Sequence, residues 1–283
     1  MLKQRVITAL VLLVILFGVL TSSSVWAFPV FMALLVGAAA WEWGRLSGFF
    51  GLSALGCAVL AVLGCTVFLL GNTHRDRGAD NALVWLITAW TVVWLFGAAW
   101  LLRAGIPAWQ RIPRLLRLIM GLVSLWMAWL AAVSLYEHQG AWYLLSVMAV
   151  VWMADMAAYF VGRALGRHKL APRISPGKTW EGAIGGMAGV LLLVFCMAPA
   201  LQGVENIYGA TARHAGWIGL LFLAVAMTVL GVMGDLVESL MKRSMNMKDS
   251  SNLLPGHGGV LDRVDSLLPV LPLALAATLW MHR

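Results

Sequence analysis

Between Ser239 and Asp265 the chain gathers, in 27 residues, three aspartates (Asp249, Asp262, Asp265), two lysines (Lys242, Lys248), two arginines (Arg243, Arg263) and a histidine among glycines (Gly256, His257, Gly258, Gly259). Carboxylates suit a hard divalent cation, which takes oxygen ligands and keeps positions for phosphate oxygens. Lysine and arginine counter phosphate charge, and glycines let backbone amides come close to an anion. Just upstream, Asp235, Glu238, Ser239 and Lys242 are spaced so that they share one face of a helix. Asp262 and Asp265, three apart, share another. Three carboxylates from these two helix ends can hold such a cation beside a polyphosphate. A merely solvated connector would have little use for such a density of alternating charge.

Two further stretches can contribute. Within Val151–Arg167, Asp155, Tyr159, Gly162, Arg163 and Gly166 fall on one helical face. A carboxylate inside an apolar segment usually meets a polar cavity or a partner, so Asp155 is either a site residue or half of an Asp–Arg or Asp–Tyr packing pair. The glycines permit close helix approach. The next segment, His168–Gly182, contains Gly177-Lys178-Thr179, but lacks the earlier glycine and preceding strand of a nucleotide-binding P-loop. Here Ser175 is expected to cap a helix beginning near Pro176 or Lys178, whose amides, with Lys178, can receive a phosphate. Glu181 can bind metal, cap the helix or pair with a base.

The elements that must position these groups are membrane helices. The chain has 283 residues, 61% apolar and 11% charged, which excludes an ordinary soluble domain. Runs of about 20 apolar residues match the roughly 30 Å hydrocarbon core, and the short alternating segments of a membrane barrel are missing. The expected fold is an all-α polytopic bundle with nine transmembrane helices, at 6–24, 26–43, 51–71, 82–102, 115–136, 141–163, 183–201, 216–237 and 266–281. It forms one integral-membrane domain, 1–283, in which 1–140 act as scaffold or dimerisation helices and 141–283 carry the catalytic helices and loops. Met1–Ala27 resembles a secretory signal, and its retention as an anchor is expected. A cytoplasmic N-terminus places 16 of the 20 basic residues on the inner side, in keeping with the positive-inside rule. The net charge of +8 therefore reflects topology and not nucleic-acid binding. Arg103, Arg111, Arg114 and Arg117 are expected at the anionic leaflet, and tryptophans near span ends, Trp94, Trp100, Trp109 and Trp142, at the interfaces. Glu42 is expected to pair with Arg45 between anchoring tryptophans. Gly71–Asp80 reads as an outward, solvated turn. Cys57, Cys65 and Cys196 lie in apolar runs and read as packing residues.

The stretch Ser239…Lys242-Arg243…Lys248-Asp249…Leu254-Pro255-Gly256-His257-Gly258-Gly259-Val260-Leu261-Asp262-Arg263-Val264-Asp265 resembles the signature of the phosphatidate cytidylyltransferases, or CDP-diacylglycerol synthases. It matches at every fixed position. Gly234-Asp235…Glu238-Ser239, Asp155…Tyr159…Gly162-Arg163 and Ser175–Gly182 are similar to further blocks of that family, although Gly177 stands where lysine is often found. The resemblance covers about residues 150–265. It implies transfer of CMP from CTP to phosphatidic acid, giving CDP-diacylglycerol and pyrophosphate for phospholipid biosynthesis. It also implies Mg²⁺ at Asp235, Asp262 and Asp265, with a monovalent cation such as K⁺ nearby, and a homodimer in the cytoplasmic (inner) membrane with its site on the cytoplasmic face. On this resemblance Lys242, Arg243, Lys248, Asp249 and His257 form the catalytic set, with His257 positioning or protonating the leaving pyrophosphate. Substrate contacts are expected from Asp155, Tyr159, Arg163, Ser175, Lys178, Thr179, Glu181, Ser239 and Arg263. Joining two anions requires neutralisation and alignment more than a general base. The alternatives are an enzyme acting on another lipid phosphate and a transporter whose Asp155 and Asp235 line an ion path; polar residues clustered at one membrane side favour the interfacial enzyme.

Overall fold

The computed structural model describes residues 2–72 and 81–283, with side chains from Thr8 onward except those of residues 9 and 72. The turn expected over Gly71–Asp80 lies largely outside these residues. The helices are α1 (Leu2–Leu20), α2 (Ala27–Leu46), α3 (Leu52–Asn72), α4 (Asn81–Ala104), the short α5 (Ile106–Arg111), α6 (Arg114–Gln139), α7 (Ala141–Leu165), α8 (Trp180–Ala200), α9 (Ile207–Ser244), the single turn α10 (Leu261–Val264) and α11 (Leu267–Met281). Eight spans among the described residues are long and apolar enough to cross a membrane, α10 and α11 together forming the last. Within α1 the described apolar stretch is the shorter Leu10–Leu20. Bulky apolar side chains such as Val67, Phe96, Leu192 and Phe222 point outward, as a lipid-facing surface requires. This is a multi-pass membrane protein.

The chain is mostly helical rather than all-helical. Strands β1 (Lys169–Ala171) and β2 (Ser175–Thr179) form a small antiparallel hairpin between α7 and α8. Ser175 therefore does not start a helix. Strand pairing at Ser175 and Thr179, with an irregularity between them, holds 175–179 extended, and the cap falls to Thr179, whose hydroxyl accepts the Gly182 N–H at 3.1 Å.

Small residues set the closest helix approach. A Cβ on Gly182 or Gly186 would stand 2.9 and 2.8 Å from the Ala158 and Ala154 carbonyl oxygens, and one on Gly189 would stand 2.6 Å from Ala157 Cβ. The α7–α8 seam thus depends on missing side chains. Helix α9 breaks at Gly216, whose φ of 70° leaves the helical region, the residue at which the eighth span was expected to begin. Beyond 237 it continues for two turns to Ser244, which carry Glu238, Lys242 and Arg243.

Some expected interfacial residues are internal. Trp109 is buried against the Arg117 guanidinium, 5.4 Å from ring centre. Arg117 is itself buried and donates to the Ile112 and Gln110 carbonyls at 2.8 Å each, so it closes the α5–α6 corner rather than meeting lipid head groups. Trp43 is buried and donates from Nε1 to the Arg117 carbonyl at 2.9 Å, and the ring occupies the space that a side chain on Gly121 would fill. Arg45 lies over the Trp41 ring at 4.7 Å.

Candidate active site

The polar end of α9 and the turn that follows it form the centre. Asp235 and Glu238 lie one helical turn apart, so their carboxylates share a face. Gly234 brings that face against the start of α11: a Cβ there would be 2.4 Å from the Asp265 carbonyl oxygen. Asp265, buried at the α10–α11 junction, joins them. One oxygen from each of Asp235, Glu238 and Asp265 lies within 4.8 Å of the others.

Asp262 faces elsewhere. Its Oδ1 accepts from Lys242 Nζ at 2.5 Å, and its Oδ2 accepts from the Ser250 and Gly259 amides at 2.9 and 2.7 Å and lies 2.9 Å from Ser250 Oγ. Lys242 also pairs with Glu238, so it stands between the acidic trio and Asp262. Glu238 takes the place in the trio that the family resemblance had implied for Asp262. The three-residue step from Asp262 to Asp265 crosses the single turn α10, and neighbouring turn amides claim the first carboxylate.

The signature loop is folded by its own turn chemistry. Pro255 and Gly256 occupy the middle of a turn closed by the His257 N–H to the Leu254 carbonyl at 2.8 Å, and Gly256 has the positive φ of 76° that the third residue of a type II turn requires. Gly258, at φ 81°, leaves room for Asp262: a Cβ there would meet Oδ2 at 2.7 Å. Arg263 donates twice to the His257 carbonyl, at 3.1 and 2.7 Å, which ties the turn to α10. His257 Nδ1 is buried with no hydrogen-bond partner among the described residues. Lys248 and Asp249 are exposed at the rim.

The hairpin reaches the same place. Lys178, on β2, forms an ion pair with Asp235, and Asp155 on α7 lies within electrostatic reach of Asp235, Lys178 and Arg263. Ser239 Oγ donates to Asp235 at 3.3 Å. Arg243 serves the scaffold here, donating to the Ile174 and Met247 carbonyls at 3.2 Å each and so fastening the hairpin to the end of α9. Glu181 accepts from the Arg167 and His168 amides at 3.1 to 3.2 Å and contacts His168 Nδ1 at 2.6 Å; it anchors the hairpin's entry. Tyr159 and Arg163 contact each other at 3.2 Å on an exposed face of α7.

One residue of the site was missed in the sequence. Glu42, on α2, is fully buried and bonded to the signature loop rather than paired with Arg45 at the interface. Only its acidity within an apolar run signalled a partner, and that partner lies more than 200 residues away.

Cytidylyltransferases as a family match this chain over residues 3–280. A phosphatidate cytidylyltransferase of Pseudomonas aeruginosa is 40% identical over 284 residues, spanning 99% of this chain and 97% of that protein. One of Haemophilus influenzae is 38% identical, covering 96% of each, and one of Brucella suis is 37% identical, covering 99% of this chain and 92% of its own length. Matched almost end to end by the family and by its full-length members, and carrying the acidic trio, paired lysines and glycine-shaped turn together, this chain is an enzyme that belongs to the phosphatidate cytidylyltransferase family.

Proposed function

We propose that the enzyme carries out CTP-dependent cytidylyl transfer to phosphatidic acid at the polar end of its bundle, and that this end faces the cytoplasm from the inner membrane. The convergence of Asp235, Glu238 and Asp265 beside Lys178 and Lys242 carries the reading. The trio suits Mg²⁺: all its donors are oxygens, and Glu238 Oε1 is buried with no hydrogen-bond partner among the described residues. When bound, the ion would neutralise nucleotide phosphate charge and hold the phosphates for in-line attack. The excess of basic residues among the segments at this end supports the cytoplasmic orientation.

The chain's own groups divide the remaining work. Lys178 lies against Asp235, within reach of phosphates seated there, and supplies cationic charge at that position. Lys242, fixed between Glu238 and Asp262, keeps the acidic groups from repelling one another and adds positive potential where two anions must meet. His257, whose ring Nδ1 has no hydrogen-bond partner among the described residues, can hydrogen-bond the leaving pyrophosphate. Lys248 and Asp249, exposed beside the loop, are assigned to contacts with the incoming nucleotide. The lipid phosphate reaches the site already ionised, so its oxygen attacks the α-phosphorus of CTP without a general base. Residues 141–283 supply these groups, with 1–140 as their scaffold.

The test is release of pyrophosphate by the purified enzyme. It should require CTP, Mg²⁺ and phosphatidic acid together, and Asp235→Asn should lower turnover by about a hundredfold or more while the protein remains folded. Release without lipid, or near-normal turnover in the folded variant, would refute the assignment.

A further inference from the structure

Glu42 stands apart from the reacting groups yet holds as many hydrogen bonds, four, as Asp262 within the site. Its Oε1 accepts from Ser251 Oγ at 2.5 Å and the Val260 amide at 3.0 Å, and its Oε2 accepts from the Leu261 amide at 2.6 Å and contacts Ser250 Oγ at 3.0 Å. The carboxylate is completely buried. Two of these bonds satisfy amides at the start of α10, where a helix leaves its donors open. The other two reach the serines that precede the Pro-Gly turn, so one side chain grips both ends of the loop from Ser250 to Leu261. The closing glycine is shaped around it: a Cβ on Gly259 would stand 2.1 Å from Ser250 Oγ and 2.3 Å from Glu42 Oε1.

Ser250 extends the grip into the site. Its hydroxyl oxygen lies 3.0 Å from Glu42 and 2.9 Å from Asp262, and its amide donates to Asp262 at 2.9 Å. Asp262 holds Lys242, and Lys242 holds Glu238. A continuous polar chain therefore runs from α2, in the first half of the molecule, to the acidic trio.

We infer that Glu42 is a positioning residue for cytidylyl transfer: it sets the signature loop so that Asp262 aligns Lys242 and Asp265 faces Asp235 and Glu238. The inference rests on the site proposed above. A carboxylate is required because all four partners present donors or hydroxyls. Glutamine would turn an NH₂ toward one of the two amides, setting donor against donor, and aspartate is too short to span both ends of the loop.

The full-length enzyme, purified in detergent, tests this through kcat, KM for CTP and the Mg²⁺ concentration giving half the maximal rise in unfolding temperature, each per folded protein. Glu42→Gln is expected to lower kcat about tenfold or more and to raise the half-effective Mg²⁺ concentration several-fold, the size of effect found when groups behind metal ligands are changed. Ser250→Ala, which leaves both Glu42-to-amide bonds in place, should move both quantities in the same direction by about threefold with little loss of folded protein. If Glu42→Gln does not fold, Ser250→Ala decides. A folded Glu42→Gln enzyme, or failing that Ser250→Ala, with wild-type kcat, KM and Mg²⁺ response overturns the inference and leaves Glu42 a stability residue. Asp235→Asn made in parallel separates the two readings. A wild-type Mg²⁺ response there removes the metal assignment, and Glu42 is then judged on kcat and KM alone.

Discussion

Lys242 offers the sharpest test of how the site is held together. Its side chain is 12% exposed, and the two carboxylates that it joins, Glu238 and Asp262, are 2% and 7% exposed. Lys242→Met keeps the length and bulk but removes the charge, leaving two acids without their cation in a poorly hydrated region. Breaking a buried pair by removing one partner costs about 3–5 kcal/mol. Asp262 keeps its other donors, Ser250 and the Gly259 amide, so the cost falls mainly on Glu238. At about 2–4 °C per kcal/mol for a chain of this order of size, the unfolding temperature should drop by roughly 6–20 °C. Tryptophan fluorescence during heating of the purified protein reads this directly, since the chain holds 15 tryptophans. Adding Glu238→Gln to Lys242→Met should recover about 1 kcal/mol or more, because the second change removes the uncompensated charge. An unfolding temperature within about 1 °C of wild type for Lys242→Met, or no recovery in the double variant, would refute the claim that Lys242 balances these two acids.

Two further outcomes follow from close packing. Gly234→Ala drives a methyl group into the Asp265 backbone, which no rotamer change can relieve; it should cost about 1–3 kcal/mol and, by parting Asp235 from Asp265, lower pyrophosphate release about tenfold. Trp43→Phe loses the buried bond to the Arg117 carbonyl and should cost about 1–3 kcal/mol in thermal unfolding while leaving kcat per folded enzyme unchanged.

Much of the site is written in short-range pattern. Asp235, Glu238, Ser239 and Lys242 share a face because a helix repeats every three to four residues, and the structure keeps them there, with Lys242 against Glu238 and Ser239 against Asp235. Pro255-Gly256 makes a turn for reasons contained in those two residues. The spans follow from runs of apolar residues, and the beginning of the eighth coincides with the Gly216 break. Other features escaped. Ser175 suggested the cap of a helix beginning near Pro176 or Lys178, but β1 offers Ser175 and Thr179 strand partners, and pairing across a loop leaves no local mark. Arg117 and Trp109 carried the residue types of an interface yet pack against each other inside the bundle.

The sequence by itself determined the membrane class, the placement of eight of the nine expected spans and the gathering of charged residues near the end of α9, because hydropathy and helical periodicity act over a few residues at a time. Only the tertiary structure decided that Glu238 rather than Asp262 completes the acidic trio, that Lys178 crosses from the hairpin to Asp235, and that Glu42 grips the signature loop. Those choices depend on which helix ends meet at one point. A buried carboxylate is settled by the donors that surround it, and for Glu42 those donors lie at the far end of the chain.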